Sequence, residues 1–255
     1  MKNSEIQLST PLLNYLLARL TFVSKARIIN IIRLSAALIV LLSSNAIANS
    51  GSSQKSANEL FNPKDPTPER LFSANLSMPE KFNSTNNLVQ KTGSFYGAFG
   101  EVMFLQGTIT DSFNLPIEGA IVEIWQANSA GKYHSLLIPT SELIDENFNM
   151  SGRSVTDNLG KYSFTTIVPG FYLGRTPHIN VNVYHPKFGK LETEIYFEDH
   201  PKNKKDSQYL GYSKEDRKLL TAKVRLSNIF DSKSTKIVTF DMVMKGVHQY
   251  KNFGN

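Results

Sequence analysis

The chain has 255 residues, 40% of them apolar, and no cysteine. That is room for one good-sized domain with extensions, and it excludes a disulfide framework or a thiolate metal site. The net charge of +6 gathers at the front, where Lys2, Arg19, Lys25, Arg27 and Arg33 against Glu5 give residues 1–48 a charge of +4, and the +2 left over is too little for nucleic-acid binding.

After Arg33 an apolar run, Leu34 to Leu42, leads to the small-residue motif Ala46-Ile47-Ala48. Basic region, short apolar core and A-x-A site predict a secretory signal peptide over 1–48, cleaved near Ala48, and so an exported (periplasmic or secreted) protein. The basic region is long and carries the apolar patch LLNYLLARLTFV, so an uncleaved N-terminal membrane anchor is the alternative. Residues 49–94 read as a linker and an irregular arm. NSGSSQKSANELFN is small and polar, Pro63, Pro66 and Pro68 stiffen the next few residues, and Leu71 to Gln90 show no sustained period.

From Val102 the pattern becomes strand-like. VMFLQGTITD, AIVEIWQAN from Ala120, KYSFTTI from Lys161, HINVNVY from His178, TEIYF from Thr193, Ala222 to Leu226 and Ile237 to Met242 are seven short strands between Gly, Pro and Asn turns. One short helix is expected over Ser213 to Leu220. This spacing predicts an all-β domain over 95–250, an antiparallel β-sandwich. In the fourth strand His178, Asn180, Asn182 and Tyr184 alternate with Ile179, Val181 and Val183. One face is apolar, and the other lines water, a cleft or a site.

Taken singly, the chemistry-bearing residues are ordinary. Tyr133 and Tyr172 read as packing residues, Trp125 as core and Arg175 as a loop charge, and His178 is a metal ligand or a strand-end residue. His134 and His185 have no partner at a telling spacing. Together they resemble a family. The runs LQGTITDSFNLPIEGAIVEIWQANSAGKY, GRSVTDNLGKYSFTTIVPGFY, GRTPHIN and ETEIYF are similar to the signature of the intradiol ring-cleavage dioxygenases, the catechol and protocatechuate 3,4-dioxygenase group, over about Phe95 to Leu226.

The resemblance implies a prealbumin-like sandwich holding one non-haem Fe(III), which binds a catechol-type substrate and cleaves the ring between its hydroxyls with O2. The family's metal ligands are two tyrosines and two histidines, which match Tyr133, Tyr172, His178 and position 180. The second tyrosine, Tyr172, is also implied to take up the substrate's proton as it leaves the metal. Arg175 matches the arginine that favours the developing anionic ring. Two positions depart from the pattern. Asn180 stands where the family has histidine, on the same strand face as His178, and Glu194 stands where it usually has a substrate-binding glutamine. A neutral amide oxygen is a poorer ligand for ferric iron than imidazole. Glu194 either offsets that loss or accompanies the decay of the site. The alternative function is therefore an exported, non-catalytic binding or envelope-associated module, because G-x-I-x-D…P-I-E-G-A and T-D-x-x-G-x-Y-x-F also resemble accessory sandwich domains. A homo-oligomer is compatible with the sequence but not specified by it.

Overall fold

The computed structural model describes residues 62–72, 74, 77–133, 144–227 and 235–246. The leader with its expected cleavage point, the linker up to residue 61 and His134 lie outside the described residues. Nine strands are described: β1 (Val102–Thr110), β2 (Ile121–Trp125), β3 (Ser151–Val155), β4 (Lys161–Ile167), β5 (His178–His185), β6 (Gly189–Phe197), β7 (Thr221–Ser227), β8 (Thr235–Thr239) and β9 (Met242–Val243). Between β6 and β7 lie a 3-10 segment, Pro201–Lys205, and two short helices, α1 (Ser207–Gly211) and α2 (Lys214–Leu219). Ser213 caps α2 by accepting from Asp216 N, so the expected helix is present. Among the described residues, no helix is long and apolar enough to cross a membrane.

The hydrogen-bonded path runs β3-β2-β5-β6-β7-β8-β1-β4, with β9 paired to β1. All seven predicted strands are present, the last split by Phe240 and Asp241 into β8 and β9. The missed one is β3, whose Ser-Gly-Arg-Ser-Val has too few apolar side chains to show a period. The expectation of antiparallel pairing needs correction, because the sheet is mixed: β6 with β7, β1 with β8 and β1 with β9 run parallel. The helical crossover explains the first of these, since parallel neighbours need a long connection rather than a hairpin.

The alternation read from β5 works as a two-sided device. Ile179, Val181 and Val183 enter one core with Val122 and Ile124 of β2, Ile195 of β6, Met103 and Leu105 of β1, Phe164 of β4 and Val238 of β8. That core is lined from both halves of the path, and burying such branched side chains supplies the main driving force for folding. The opposite face of β5 does not meet water, because His178, Asn180 and Asn182 are buried as well.

Irregular segments cover that face and the sheet edges. Thr67 N bonds to Val243 O and Arg70 N to Glu192 O, which lays the arm along β9 and β6. Further on, Thr85 O accepts from Arg153 N of β3, while Asn86 O and Leu88 N pair with Thr165 of β4. One segment thus occupies both end strands of the path and leaves their edges paired. Gly152 makes room for it, as a Cβ there would meet Leu88 Cδ1 and Thr85 O, each at 2.6 Å.

Candidate active site

The two tyrosines are brought together by glycines. After β2 the chain turns through Asn128, whose Oδ1 accepts from Ala130 N and Lys132 N, and Gly131 adopts a φ of +72°. This turn lies against the one that comes after β4. A Cβ on Gly131 would sit 1.8 Å from Phe171 O, a Cβ on Gly170 would sit 2.3 Å from Gly131 N, and Gly170 N donates to Asn128 O at 2.9 Å. Only glycine permits so close an approach. As a result Tyr133 and Tyr172 meet edge to face, with ring centroids 4.7 Å apart. Tyr133 is buried in a cluster with Trp125 and Ala127, against which Ala74, Phe82 and Tyr172 pack. Burial, then Glu194, pushes the Tyr133 phenol above its ordinary range, and burial also raises Tyr172.

Arg175 faces Tyr172 across a two-residue turn, with Arg175 N donating to Tyr172 O at 2.7 Å. Leu173 and Gly174 both have positive φ, 42° and 81°, the pattern of a type I′ turn. The next strand, β5, carries His178 and Asn180 on one face. His178 Nδ1 bonds to Thr176 O at 2.7 Å. A carbonyl can only accept, so Nδ1 carries the proton and Nε2 keeps its lone pair, the arrangement a ligating histidine needs. Burial, with Arg175 nearby, outweighs Glu194 and lowers this imidazole below its ordinary value. Asn180 Nδ2 donates to Tyr133 Oη at 3.2 Å and to Trp125 O at 3.4 Å. Its Oδ1 is buried with no hydrogen-bond partner among the described residues.

Register places Asn180 between Trp125 of β2 and Glu194 of β6, and His178 opposite Tyr196. The Glu194 carboxylate accepts from Arg175 Nη2 at 3.1 Å and from Tyr196 Oη at 2.5 Å. Arg175 Nε also bonds both oxygens of Asp206, which is fully buried. Burial alone would lower the guanidinium, but Glu194, Tyr196 and Asp206 hold it above its ordinary value.

The structure therefore brings Tyr133, Tyr172 and Asn180 into contact, places His178 beside Asn180 on the same face, and ties Arg175 to Glu194. Sequence reasoning missed Tyr196, Asp206 and Arg70, whereas its reading of Trp125 as core holds, the ring being buried with Ala127 and Tyr133. Tyr196 had a signal, because it lies one two-residue strand period after Glu194. Arg70 lies 4.7 Å over the Trp125 ring and donates to Val181 O and Asn182 Oδ1. Nothing local in the sequence connects an arm residue to a strand more than a hundred positions away.

The donor set suits a hard ferric ion: two phenols, an imidazole nitrogen with its lone pair free, and an amide oxygen. An orphaned buried acceptor normally costs about 1–3 kcal/mol, and a cation would satisfy Asn180 Oδ1.

Residues 79–246 match the family described as Dioxygenase. The protocatechuate 3,4-dioxygenase beta chain of Burkholderia cepacia is 31% identical over 155 residues, covering 58% of this chain and 66% of that one. The chain spans 60% to 66% of the length of this relative and of the other leading curated relatives. The dioxygenase domain of a dioxygenase–carbohydrate-binding fusion from Streptomyces sp. SirexAA-E superposes with a TM-score of 0.55 at 26% identity, covering 72% of this chain and 100% of that one. Hydroxyquinol 1,2-dioxygenase from Pseudomonas putida DLL-E4 shares the fold at a TM-score of 0.57 and 18% identity, covering 92% of this chain and 90% of its own. With the family match running from the arm to the last strand, the chain belongs to the intradiol ring-cleavage dioxygenases.

Proposed function

We propose that this chain is a non-haem iron(III) dioxygenase that cleaves a catechol-type aromatic ring between its two hydroxyls. Both atoms of O2 would end in a muconate-type diacid. The observation that carries this reading is the contact of Tyr133 with both Tyr172 and Asn180, beside His178, together with a buried Oδ1 on Asn180 that has no hydrogen-bond partner among the described residues. Tyr133, Tyr172, His178 and, through Oδ1, Asn180 would hold the metal. Bound there, ferric iron supplies the Lewis acidity that takes up a catechol as its dianion and makes the ring reactive toward O2.

The chain's own residues divide the remaining work. Tyr133 is walled in by Trp125 and Ala127, so it is the fixed phenol, shielded from water. Tyr172 is more exposed and sits at the turn, so its Oη, once deprotonated by holding the metal, would be the base that accepts a substrate hydroxyl proton. Arg175 supplies N–H donors that do not titrate, to which an anionic ring oxygen would hydrogen-bond. Glu194 flanks the ligand next to Asn180, held by Arg175 and Tyr196. We further read the strand path as a β-sandwich closed over the common core, and the mature chain as exported after cleavage near Ala48. N-terminal sequencing of the exported product checks that cleavage.

Loading the purified chain from residue 49 onward with ferric iron tests the site. Two tyrosinates on iron give a visible phenolate-to-iron charge-transfer band, and labelled O2 should appear in a ring-opened diacid. A colourless, iron-free protein overturns the proposal and leaves the non-catalytic binding module in its place.

A further inference from the structure

Two of the three nitrogens of the Arg175 guanidinium are committed. Nε donates to both oxygens of Asp206, at 3.1 and 3.0 Å, and Nη2 to Glu194 Oε2 at 3.1 Å and Tyr196 Oη at 2.8 Å. Nη1 has no partner among the described residues, and the side chain keeps 15% of its surface exposed. A planar fork pinned at two nitrogens cannot rotate, so the direction of the Nη1–H bonds is fixed as well.

The anchor is itself immobile. Asp206 has no exposed surface, its Oδ2 accepts from Thr176 N at 2.8 Å, and its Oδ1 accepts from Gln208 N and Tyr209 N at the start of α1. One carboxylate thus joins the guanidinium, the backbone two residues before His178 and the helical crossover. Tyr196 is equally fixed, fully buried in a cluster with Tyr212 and Leu220 and with Tyr209 packed against it.

We propose that Asp206 and Tyr196 are positioning residues that aim Arg175 Nη1 at an oxyanion of the aromatic ligand, so that the helical crossover sets the arginine's geometry. The proposal rests on the ring-cleavage reading for the nature of that ligand. Two carboxylates around one guanidinium leave the cluster with no net positive charge. Arg175 therefore acts through a directed hydrogen bond rather than long-range attraction, and losing its aim removes most of its effect.

The test uses 15N-labelled, metal-free full-length chain. The Arg175 Nε–H signal, identified by its absence in Arg175→Lys, should exchange slowly with solvent in the wild type and at least ~10-fold faster in Asp206→Asn, which preserves shape and the α1 cap. Optical titration with 4-nitrocatechol should show binding weakened ~10-fold or more in both Asp206→Asn and Tyr196→Phe. On iron-loaded samples the phenolate band of both variants should keep its wild-type position, because Asp206 bonds none of the proposed ligands and Tyr196→Phe keeps the ring that faces His178 at 6.2 Å between centroids. A purely packing role would move band and binding together. Fast exchange in the wild type, or nitrocatechol affinities within about twofold of it in both variants, overturns the proposal. Failure of the wild type to take up ferric colour overturns the ring-cleavage reading alone, since exchange and titration are read without metal.

Discussion

Replacing Gly131 with alanine tests whether the paired tyrosines depend on backbone contact between their loops. The new Cβ would lie 1.8 Å from Phe171 O and 2.7 Å from its carbonyl carbon, backbone atoms that cannot swing aside. Restoring ordinary contact requires the loops to part by roughly 1.5 Å or more. Alanine in left-handed backbone adds about 1–2 kcal/mol, and losing the Gly170 N to Asn128 O bond adds about 1 kcal/mol. A total near 3 kcal/mol lowers Tm by ~6–12 °C in a domain of this size. Differential scanning calorimetry measures that drop, and the ferric–phenolate band, which depends on Tyr133 and Tyr172 sharing one metal, should fade in the same variant. Gly174→Ala is the control. Its φ is +81° but nothing lies within 4 Å of the new Cβ, so it incurs only the backbone cost, ~2–8 °C, and keeps the band. If Gly131→Ala melts no lower than Gly174→Ala with its band intact, loop contact does not set the tyrosine pair.

Leu173 is 77% exposed at a φ of +42°, so it packs little and is strained. Leu173→Asn should therefore stabilise the chain by about 0.5–1 kcal/mol, read as a rise in Tm, since asparagine tolerates this backbone region. Tyr162 Oη donates to Phe240 O at 2.6 Å, and Tyr162→Phe should cost about 1–2 kcal/mol at neutral pH in urea unfolding. The same variant has an alkaline signature. Burial, then Asp241, raises the Tyr162 phenol, so above about pH 10 the unfolded chain loses this proton while the folded chain holds it, and stability falls as pH rises. Removing that proton should make the alkaline decline shallower by up to about 1.4 kcal/mol per pH unit, and equal slopes would refute the assignment.

Strands with a clean period were legible in the sequence, and so was the face of β5 that carries His178 and Asn180. The family pattern singled out Tyr133, Tyr172 and Arg175 from residues that are unremarkable alone. What stayed hidden was long-range. Asp206 caps α1, but its second task lies thirty-one residues away at Arg175. The Gly131 and Gly170 approach is likewise invisible to any periodicity, because it joins two turns that do not repeat. The parallel pairing of β6 with β7 depends on how the crossover folds back, and the strands themselves carry no trace of it.

The two departures from the family pattern occupy one cross-strand pair, Asn180 opposite Glu194, which raises the question of whether the second repairs the first. The geometry argues against repair. Glu194 is buried, and its two hydrogen bonds among the described residues fall on Oε2, from Arg175 and Tyr196. A carboxylate neutralised by a guanidinium is a weakened donor to a metal, and drawing it away would break a buried pair. Asn180 Oδ1 has no such engagement. Glu194→Gln should therefore leave ferric uptake close to wild type. Its stability cost should stay near about 1–2 kcal/mol, because Asp206 still compensates Arg175 and glutamine can still accept from Tyr196. Asn180→His should act in the other direction, holding iron ~10-fold or more tightly against a competing chelator. Loss of iron uptake in Glu194→Gln would show instead that the glutamate is the fourth donor, and the tie to Arg175 would then belong only to the metal-free chain.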